Sequence, residues 1–237
     1  MNPVEFAPGL VVRGITAPLR LADFALVAFD MDSTLINIEC VDEIAAAAGR
    51  KAEVAAITEA AMRGEIADYK DSLRKRVALL AGVPEQAVRD LYERRVQFNP
   101  GVERVVAAAH AAGLKTLLVS GGFTHITDRV RVDLDLDYAR SNVLEVTDGR
   151  LTGRLVPQDW GDIVDGEEKR RMLEATCAEL GVPPGRAIAV GDGANDLPMM
   201  AVAGVSVAFH AKSVVRDAAM ISIESGGMDR LLEVVRP

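Results

Sequence analysis

The sequence predicts a doubly wound α/β fold, a parallel sheet with helices on both faces, and a helical segment inserted after the first strand. Five short runs are rich in Val, Ile, Leu and Ala without polar alternation, which is typical of parallel strands covered on both faces. These runs are residues 25–29, 115–119, 186–190, 205–209 and 220–223. Helical patterns separate most of the runs, and such alternation of strand and helix favours an α/β domain.

The remaining elements follow in chain order. Residues 1–22 show little periodicity and are interpreted only as a lead-in segment. Helices are predicted over residues 102–112, 124–132, 167–180 and 196–203. Residues 143–155 alternate around Asp148 and Gly149, a dipeptide typical of a β-hairpin turn.

Residues 41–98 interrupt the alternation, because their pattern is almost wholly helical. Gly49, Gly64 and the turn at Gly82 to Pro84 divide this segment into about four short helices. We call residues 41–98 the helical insert. The predicted core domain then comprises residues 23–40 and 99–237.

Composition limits the classes of function. The chain has 237 residues, 49% hydrophobic and 26% charged, as in an ordinary globular protein. Apolar runs are too short to span a bilayer, and the N-terminus does not resemble a signal peptide, so we expect no membrane partner. The net charge of −8 argues against nucleic acid. Cys40 and Cys177 lie far apart, which fits reduced thiols in a cytoplasmic protein. The oligomeric state is not predicted.

Polar residues follow three of the predicted strands. Asp30 and Asp32 follow the first strand, Ser120 and Gly121 follow the second, and Asp192 opens a glycine-rich turn after the third. Ligands of open α/β sheets bind beyond the carboxyl ends of the strands. The sequence therefore predicts one site at this edge of the sheet.

The acidic residues in these positions indicate a magnesium site. Two carboxylates on one face of a strand, Asp30 and Asp32, would repel each other without a cation. Asp192 adds a carboxylate from another strand end, with Asp196 close behind. Oxygen ligands without His or Cys fit Mg²⁺ better than Zn²⁺. The alternative for any single Asp is a helix N-cap or a turn.

Two further features could bind an anion. Residues 120–122, Ser-Gly-Gly, offer a hydroxyl and backbone N–H groups at the predicted start of a helix, although a simple strand-to-helix turn with Ser as the cap is also possible. Lys169 lies near the start of another predicted helix, where a cation opposes the helix dipole. It therefore needs either solvent or an anionic neighbour.

Together these motifs resemble those of the haloacid dehalogenase superfamily. The shared features are D-x-D-S-T-L at residues 30–35, Ser120, the isolated Lys169, and G-D-G-x-N-D at residues 191–196. Longer stretches resemble the branch that acts on O-phospho-L-serine: FDMDSTLINIECVDEIA (29–45), SLRKRV (72–77), VSGGFT (119–124) and AVGDGANDLPM (189–199). The resemblance covers roughly residues 24–230 and implies a Rossmann-like core with the insert as a helical cap.

The resemblance also implies a Mg²⁺-dependent hydrolysis of O-phospho-L-serine to L-serine and phosphate through a phosphoaspartyl intermediate, the last step of serine biosynthesis. Asp30 would be the nucleophile and Asp32 the general acid and base. The implied metal ligands are the carboxylates of Asp30 and Asp192 and the backbone carbonyl of Asp32, with Asp196 supporting them. The implied phosphoryl-binding groups are Ser120, the Gly121 amide, Lys169 and Asn195.

Substrate specificity is expected in and beside the helical insert. By resemblance, Glu39 would bind the substrate ammonium and Arg76 its carboxylate, pairings that suit the two side chains. Either residue could instead be an ordinary solvated charge. The chain departs from the family pattern at Asp68 and Tyr69, where a Phe is usual and the segment is one residue longer. Tyr69 could take over the aromatic packing role.

Two other functions remain open from the sequence. The same Asp30 chemistry could transfer the phosphoryl group to an acceptor such as homoserine instead of water. Alternatively, the chain could be a signalling module that only carries an aspartyl phosphate. A signalling module needs neither a leaving-group acid nor a substrate lid, so Asp32 and the helical insert argue against this second alternative.

Overall fold

The structure is a computed structural model that describes residues 3–62, 65–66 and 68–237, with only the backbone described at Met62. Its strands are β1 (Val4–Ala7), β2 (Leu10–Val12), β3 (Leu19–Arg20), β4 (Leu26–Phe29), β5 (Lys115–Phe123), β6 (Tyr138–Asn142), β7 (Leu144–Thr147), β8 (Arg150–Leu155), β9 (Ala187–Gly191), β10 (Val205–Phe209), β11 (Ile221–Ile223) and β12 (Val235–Arg236). Its α-helices are α1 (Cys40–Ala47), α2 (Lys51–Met62), α3 (Tyr69–Ala78), α4 (Glu85–Arg95), α5 (Val102–Ala111), α6 (Thr124–Asp133), α7 (Gly166–Glu179), α8 (Leu197–Val202), α9 (Ser213–Ala218) and α10 (Leu231–Val234).

The central sheet has eight strands in the order β1-β2-β11-β10-β9-β4-β5-β6. All pairs from β11 to β6 are parallel, and β1 and β2 form an antiparallel hairpin beside β11. The chain leaves β4 toward β5 and β6 on one side and later returns to β9 on the other. Strand order therefore reverses at β4, which is where ligands bind in doubly wound sheets.

Both faces of this sheet are buried. In β4, Val27 and Phe29 belong to one hydrophobic cluster, together with residues of α5 and α6. Leu26 and Ala28 belong to a second cluster on the opposite face, together with residues of α7 and α8. Because successive strand residues point to opposite faces, an unbroken apolar run is what this arrangement requires. The predicted doubly wound α/β fold class is confirmed.

Several elements differ from the sequence prediction, and the short elements β3, α9, α10 and β12 were also not predicted. The lead-in segment contains β1 and β2, and Leu10 and Val12 of β2 are buried against β11. The strand β6 was not predicted, because its residues are mostly polar and only half covered. The strand β5 runs four residues beyond Val119, through an irregular register with β6. Short or irregular strands carry too few residues for a clear periodicity.

The helical insert contains α2, α3, α4 and most of α1, in agreement with the predicted helices; Gly64 lies outside the described residues. The hairpin β7–β8 holds the turn between α3 and α4. The Gly82 N–H donates to the Leu151 carbonyl at 2.8 Å, and the Leu151 N–H donates to the Val83 carbonyl at 2.9 Å. A side chain at Gly153 would lie 3.0 Å from the Ala78 carbonyl, so β8 approaches α3 closely. The division of the chain into core and insert stays a prediction.

Two absences apply to the described part of the chain. No helix there has the length and apolar character needed to cross a membrane. Cys40 and Cys177 are both buried and form no disulfide.

Gly101 provides a test of the packing at the start of α5. Its φ is +83°, and a Cβ atom there would lie 2.4 Å from the Asp229 backbone nitrogen. Gly113, after α5, has a similar φ of +81° but open space around it. We expect Gly113→Ala to cost about 1–2 kcal/mol from backbone strain alone. Gly101→Ala should cost at least about 1 kcal/mol more because of the clash, as measured by urea unfolding. Equal losses would contradict the packing described.

Candidate active site

A cavity of about 700 Å³ lies beyond the carboxyl ends of β4, β5 and β9, between the sheet and the helical insert. Most of the predicted site residues line it: Asp30, Asp32, Glu39, Arg76, Ser120, Gly121, Asp192 and Asn195. The other two, Lys169 and Asp196, are fully buried beside Asp30. Residues that precede and follow the helical insert in the chain thus line the same cavity.

Asp30 is paired with a buried lysine. Lys169 is 0% exposed, and its Nζ donates to Asp30 Oδ1 and, at 2.7 Å, to Asp196 Oδ1. Burial alone would lower the pKa of Lys169, but the two carboxylates outweigh it and raise the pKa, so the ammonium stays charged. Burial raises the pKa of Asp30, and the lysine opposes this effect. The anionic neighbours account for a cation in the first turn of α7.

Asp196 joins this pair to the glycine-rich turn after β9. Its Oδ2 accepts the N–H groups of Asp192 and Gly193 at 3.1 and 3.0 Å. Gly191 leaves room for that carboxylate, since a Cβ there would lie 2.3 Å from Asp196 Oδ2. Asp196 is therefore held by the turn and by Lys169 together.

Three carboxylates form a group that could hold a metal ion. One oxygen each from Asp30, Asp192 and Asp196 lie within 4.8 Å of one another. Burial, followed by the charge of Asp196, raises the pKa of Asp192 to about 6. Such crowding of acids is what a divalent cation relieves, and the all-oxygen donor set fits Mg²⁺.

Asp32 has both carboxylate oxygens engaged by one residue. The Cys40 N–H donates to Oδ2 at 2.9 Å, and the Cys40 thiol donates to Oδ1 at 3.0 Å. Burial raises the pKa of Asp32 to about 7, with the nearby charge of Glu39 as the second cause. A carboxyl with such a pKa can both donate and accept a proton near neutral pH.

The loop after Asp32 is fixed by Asn99. The Asn99 side chain donates to the carbonyls of Ser33, Thr34 and Ile36 at 3.2, 2.9 and 3.1 Å. Glu39, at the end of this loop, is exposed to the cavity and accepts the Ser33 hydroxyl at 2.7 Å. The loop thus directs one carboxylate toward the space above Asp30.

Arg76 is distinguished from the two basic residues before it. Arg74 pairs with Asp162 at 2.6 Å and Lys75 with Asp71 at 2.8 Å, both at the surface. Arg76 lines the cavity, and its buried Nε has no hydrogen-bond partner in the described ranges. A buried donor without a partner is costly, so a ligand acceptor would satisfy it.

Residues 120–122 correct one expectation. They do not start a helix but form the irregular end of β5, and α6 begins only at Thr124. The Ser120 hydroxyl accepts the Gly122 N–H at 2.9 Å, and Asn142 donates to the Gly121 carbonyl at 2.7 Å. The register shift beside β6 is the physical reason, since it turns this backbone toward the cavity.

Three cavity or supporting residues were missed by sequence reasoning. Cys40 and Asn99 hold the loop after β4 through contacts that the sequence does not show, although Cys40 lies within the stretch 29–45. Lys212, with an exposed side chain, lies at the cavity edge. Nothing in the local sequence distinguishes them from packing or surface residues. Tyr69, expected only as a packing residue, also lines the cavity.

Comparison with known protein families identifies the family to which the chain belongs. The family model for haloacid dehalogenase-like hydrolases matches residues 24–204, most of the chain. The chain belongs to the haloacid dehalogenase-like hydrolase family. Its resemblance to that family, inferred from the motifs, is thereby confirmed. The match includes β4, β5 and β9, the strands whose ends carry the candidate site of this hydrolase.

Relatives of this haloacid dehalogenase-like hydrolase carry a more specific name. Phosphoserine phosphatases of Albidiferax ferrireducens and Polaromonas sp. are 69% and 67% identical to it, each over the whole of both chains. A solved structure of a phospho-aspartyl intermediate analogue of phosphoserine phosphatase is 37% identical to this chain and superposes with a TM-score of 0.82. The match covers 90% of this chain and 99% of the chain in that structure.

Proposed function

We propose that this hydrolase is a Mg²⁺-dependent phosphoserine phosphatase that releases L-serine and phosphate from O-phospho-L-serine. The observation that carries the proposal is the content of one cavity. It holds Asp30 and a group of acids that could bind a metal at the sheet edge, together with Arg76, whose buried Nε has no partner among the described residues, and the exposed carboxylate of Glu39. A phosphate, a carboxylate and an ammonium, the three charged groups of phosphoserine, each have a complementary partner there.

In the proposed mechanism Asp30 attacks phosphorus. One carboxylate oxygen of Asp30 forms the bond to phosphorus while the bond to the serine oxygen breaks, giving a phosphoaspartyl intermediate. Lys169, which already contacts Asp30, offsets the repulsion between the carboxylate and the phosphoryl group. Ser120, the Gly121 amide and Asn195 bind the phosphoryl oxygens.

Asp32 moves the protons. In the first step it donates a proton to the departing serine oxygen, and in the second it removes a proton from the water that hydrolyses the phosphoaspartate. The two hydrogen bonds from Cys40 fix the position of its carboxylate, and Asp32 lines the cavity. Hydrolysis then returns Asp30 to its starting state.

Mg²⁺ would be held by Asp30, Asp192 and the Asp32 backbone carbonyl, with Asp196 supporting the set through the turn. When bound, the ion supplies positive charge that favours anionic substrate and in-line transfer. The site of reaction is expected in the cytoplasm, which stays a prediction from the cysteine content.

Arg76→Ala tests whether Arg76 binds the substrate carboxylate. We expect KM for phosphoserine to rise about 10- to 100-fold, because the loss of a charge-assisted hydrogen bond costs about 1.5–3 kcal/mol. KM for 4-nitrophenyl phosphate, which has no carboxylate, should change little. The matched control is Arg74→Ala, two residues earlier on α3 with its side chain paired to Asp162. A similar rise of KM for both substrates would contradict the assignment.

The function itself is tested by phosphate release from a set of small phosphomonoesters, with and without Mg²⁺. We expect steady turnover of phosphoserine that requires the ion. Addition of homoserine should leave phosphate release unchanged, whereas formation of phosphohomoserine would favour a transferase. A single turnover without further release would favour a phosphate-carrying signalling module.

A further inference from the structure

The chain has three tyrosines, and the hydroxyl of one of them differs in its surroundings. The hydroxyl of Tyr92 donates to Asp133 at 2.6 Å, and that of Tyr138 donates to Glu179 at 3.0 Å. Tyr69 is half-buried and lines the cavity, but its hydroxyl has no hydrogen bond to any described residue. Because Tyr69 lines the cavity and its hydroxyl has no protein partner among the described residues, the hydroxyl is available to donate to a ligand there.

Tyr69 lies on the same helix face as Arg76. The residues Tyr69, Leu73 and Arg76 all line the cavity, and their spacing of four and three residues places them on one side of α3. Tyr69 is the first residue of the helix, where Asp68 accepts the Lys70 N–H at 3.1 Å and fixes the start. The ring is thus positioned by the helical insert.

The Tyr69 hydroxyl reaches across to the sheet edge. A Cβ atom at Gly121 would lie 2.2 Å from Tyr69 Oη and 3.5 Å from its Cζ. The hydroxyl, and not the ring, therefore occupies the space that any side chain at position 121 would need. Gly121 belongs to the segment that the proposed function assigns to phosphate binding.

The charges around this hydroxyl keep it a donor. Burial raises the pKa of Tyr69 to about 12, against the opposing effects of Lys169 and Arg76. The charges of Asp30 and Asp32 also raise the pKa of Tyr69, so the phenol lies among the charged groups of the site. A protonated phenol can donate to an anion throughout the physiological range.

We propose that Tyr69 is a substrate-binding residue whose hydroxyl donates a hydrogen bond to a phosphoryl oxygen bound at Ser120 and Gly121. This rests on the proposed function in that the cavity binds a phosphomonoester. The contact is made to the phosphoryl group, which all phosphomonoesters share. Tyr69 and Arg76, on one helix face, would then bind the phosphoryl group and the carboxylate of the substrate.

Binding of inorganic phosphate in the presence of Mg²⁺, measured by titration calorimetry, tests this contact directly. Tyr69→Phe should weaken binding roughly 10- to 100-fold, as expected for a hydrogen bond to a charged acceptor. The matched control is Tyr138→Phe, which removes the same atom at the surface and should bind phosphate as the wild type does. Unchanged binding by Tyr69→Phe, or absence of phosphate binding by the wild type, would overturn the proposal.

Kinetics with two substrates separates this role from that of Arg76. Tyr69→Phe should lower kcat/KM for phosphoserine and for 4-nitrophenyl phosphate by similar factors. A loss confined to phosphoserine would overturn the proposal, because the hydroxyl would then contact the amino-acid part. Phosphate binding that depends on Tyr69, in a wild type that does not turn over phosphoserine, would reject the proposed function but support the contact.

The position of the hydroxyl is tested by a second variant. Gly121→Ala should weaken phosphate binding, since the new methyl group collides with Tyr69 Oη. In the Tyr69→Phe background the same change should cost several-fold less, because Cζ is at ordinary contact distance. An equal loss in both backgrounds would show that the hydroxyl does not lie against Gly121.

Discussion

Asp30→Asn is expected to abolish turnover of phosphoserine. The amide is a poor nucleophile, and loss of the attacking group from a catalytic unit typically lowers kcat by 10⁴-fold or more. The fold should persist, because Asn has the same shape and Lys169 retains its 2.7 Å contact with Asp196. Phosphate release by the purified variant, alongside its thermal unfolding, measures both effects.

The control for this prediction is Asp217→Asn on α9. The Asp217 side chain is 73% exposed and does not line the cavity, so activity should stay at the wild-type level. Mass spectrometry of acid-quenched enzyme provides a second readout, since only protein with Asp30 should gain a phosphoryl group. Activity within tenfold of wild type in Asp30→Asn would reject the nucleophile assignment.

The strands that carry the site were predictable because each is buried on both faces. An apolar run such as 205–209 has one interpretation in an alternating chain, and the observed strand has the same bounds. The polar residues at the ends of β4, β5 and β9 were then placed together by the geometry of parallel sheets alone. Where the strand was short or polar, as in β2 and β6, periodicity gave no such signal.

Contacts within the site were less predictable than its location. The sequence shows Lys169 near a helix start but not that Asp30 and Asp196 both bind it. It shows three basic residues in a row but not that only Arg76 of the three lines the cavity. Such pairings depend on side chains from distant segments: α7 brings Lys169 to the ends of β4 and β9, and α3 brings Arg76 to the cavity.

Lys169→Met is expected to impair both stability and activity. The change leaves Asp30 and Asp196 buried without their cation, and breaking a buried ion pair in this way costs about 3–5 kcal/mol. Turnover should fall as well, because nothing then offsets the charge of Asp30 against the phosphoryl group. Urea unfolding in the presence of a chelator measures the stability without a contribution from metal.

The loss of stability in Lys169→Met should grow as pH rises. Burial already raises the pKa of Asp30, and removal of Lys169 removes the largest effect that lowers it. A carboxyl whose pKa is raised in the folded state binds its proton more tightly there than in the unfolded chain. Stability is therefore retained at low pH and lost as pH rises above the ordinary pKa of about 4. We expect the variant to lose more stability at pH 8 than at pH 5, relative to the wild type. Lys115→Met, which removes an exposed pair with Asp137, should show little pH dependence over this interval. A loss in Lys169→Met that is the same at both pH values would mean that Asp30 does not depend on the lysine for its charge.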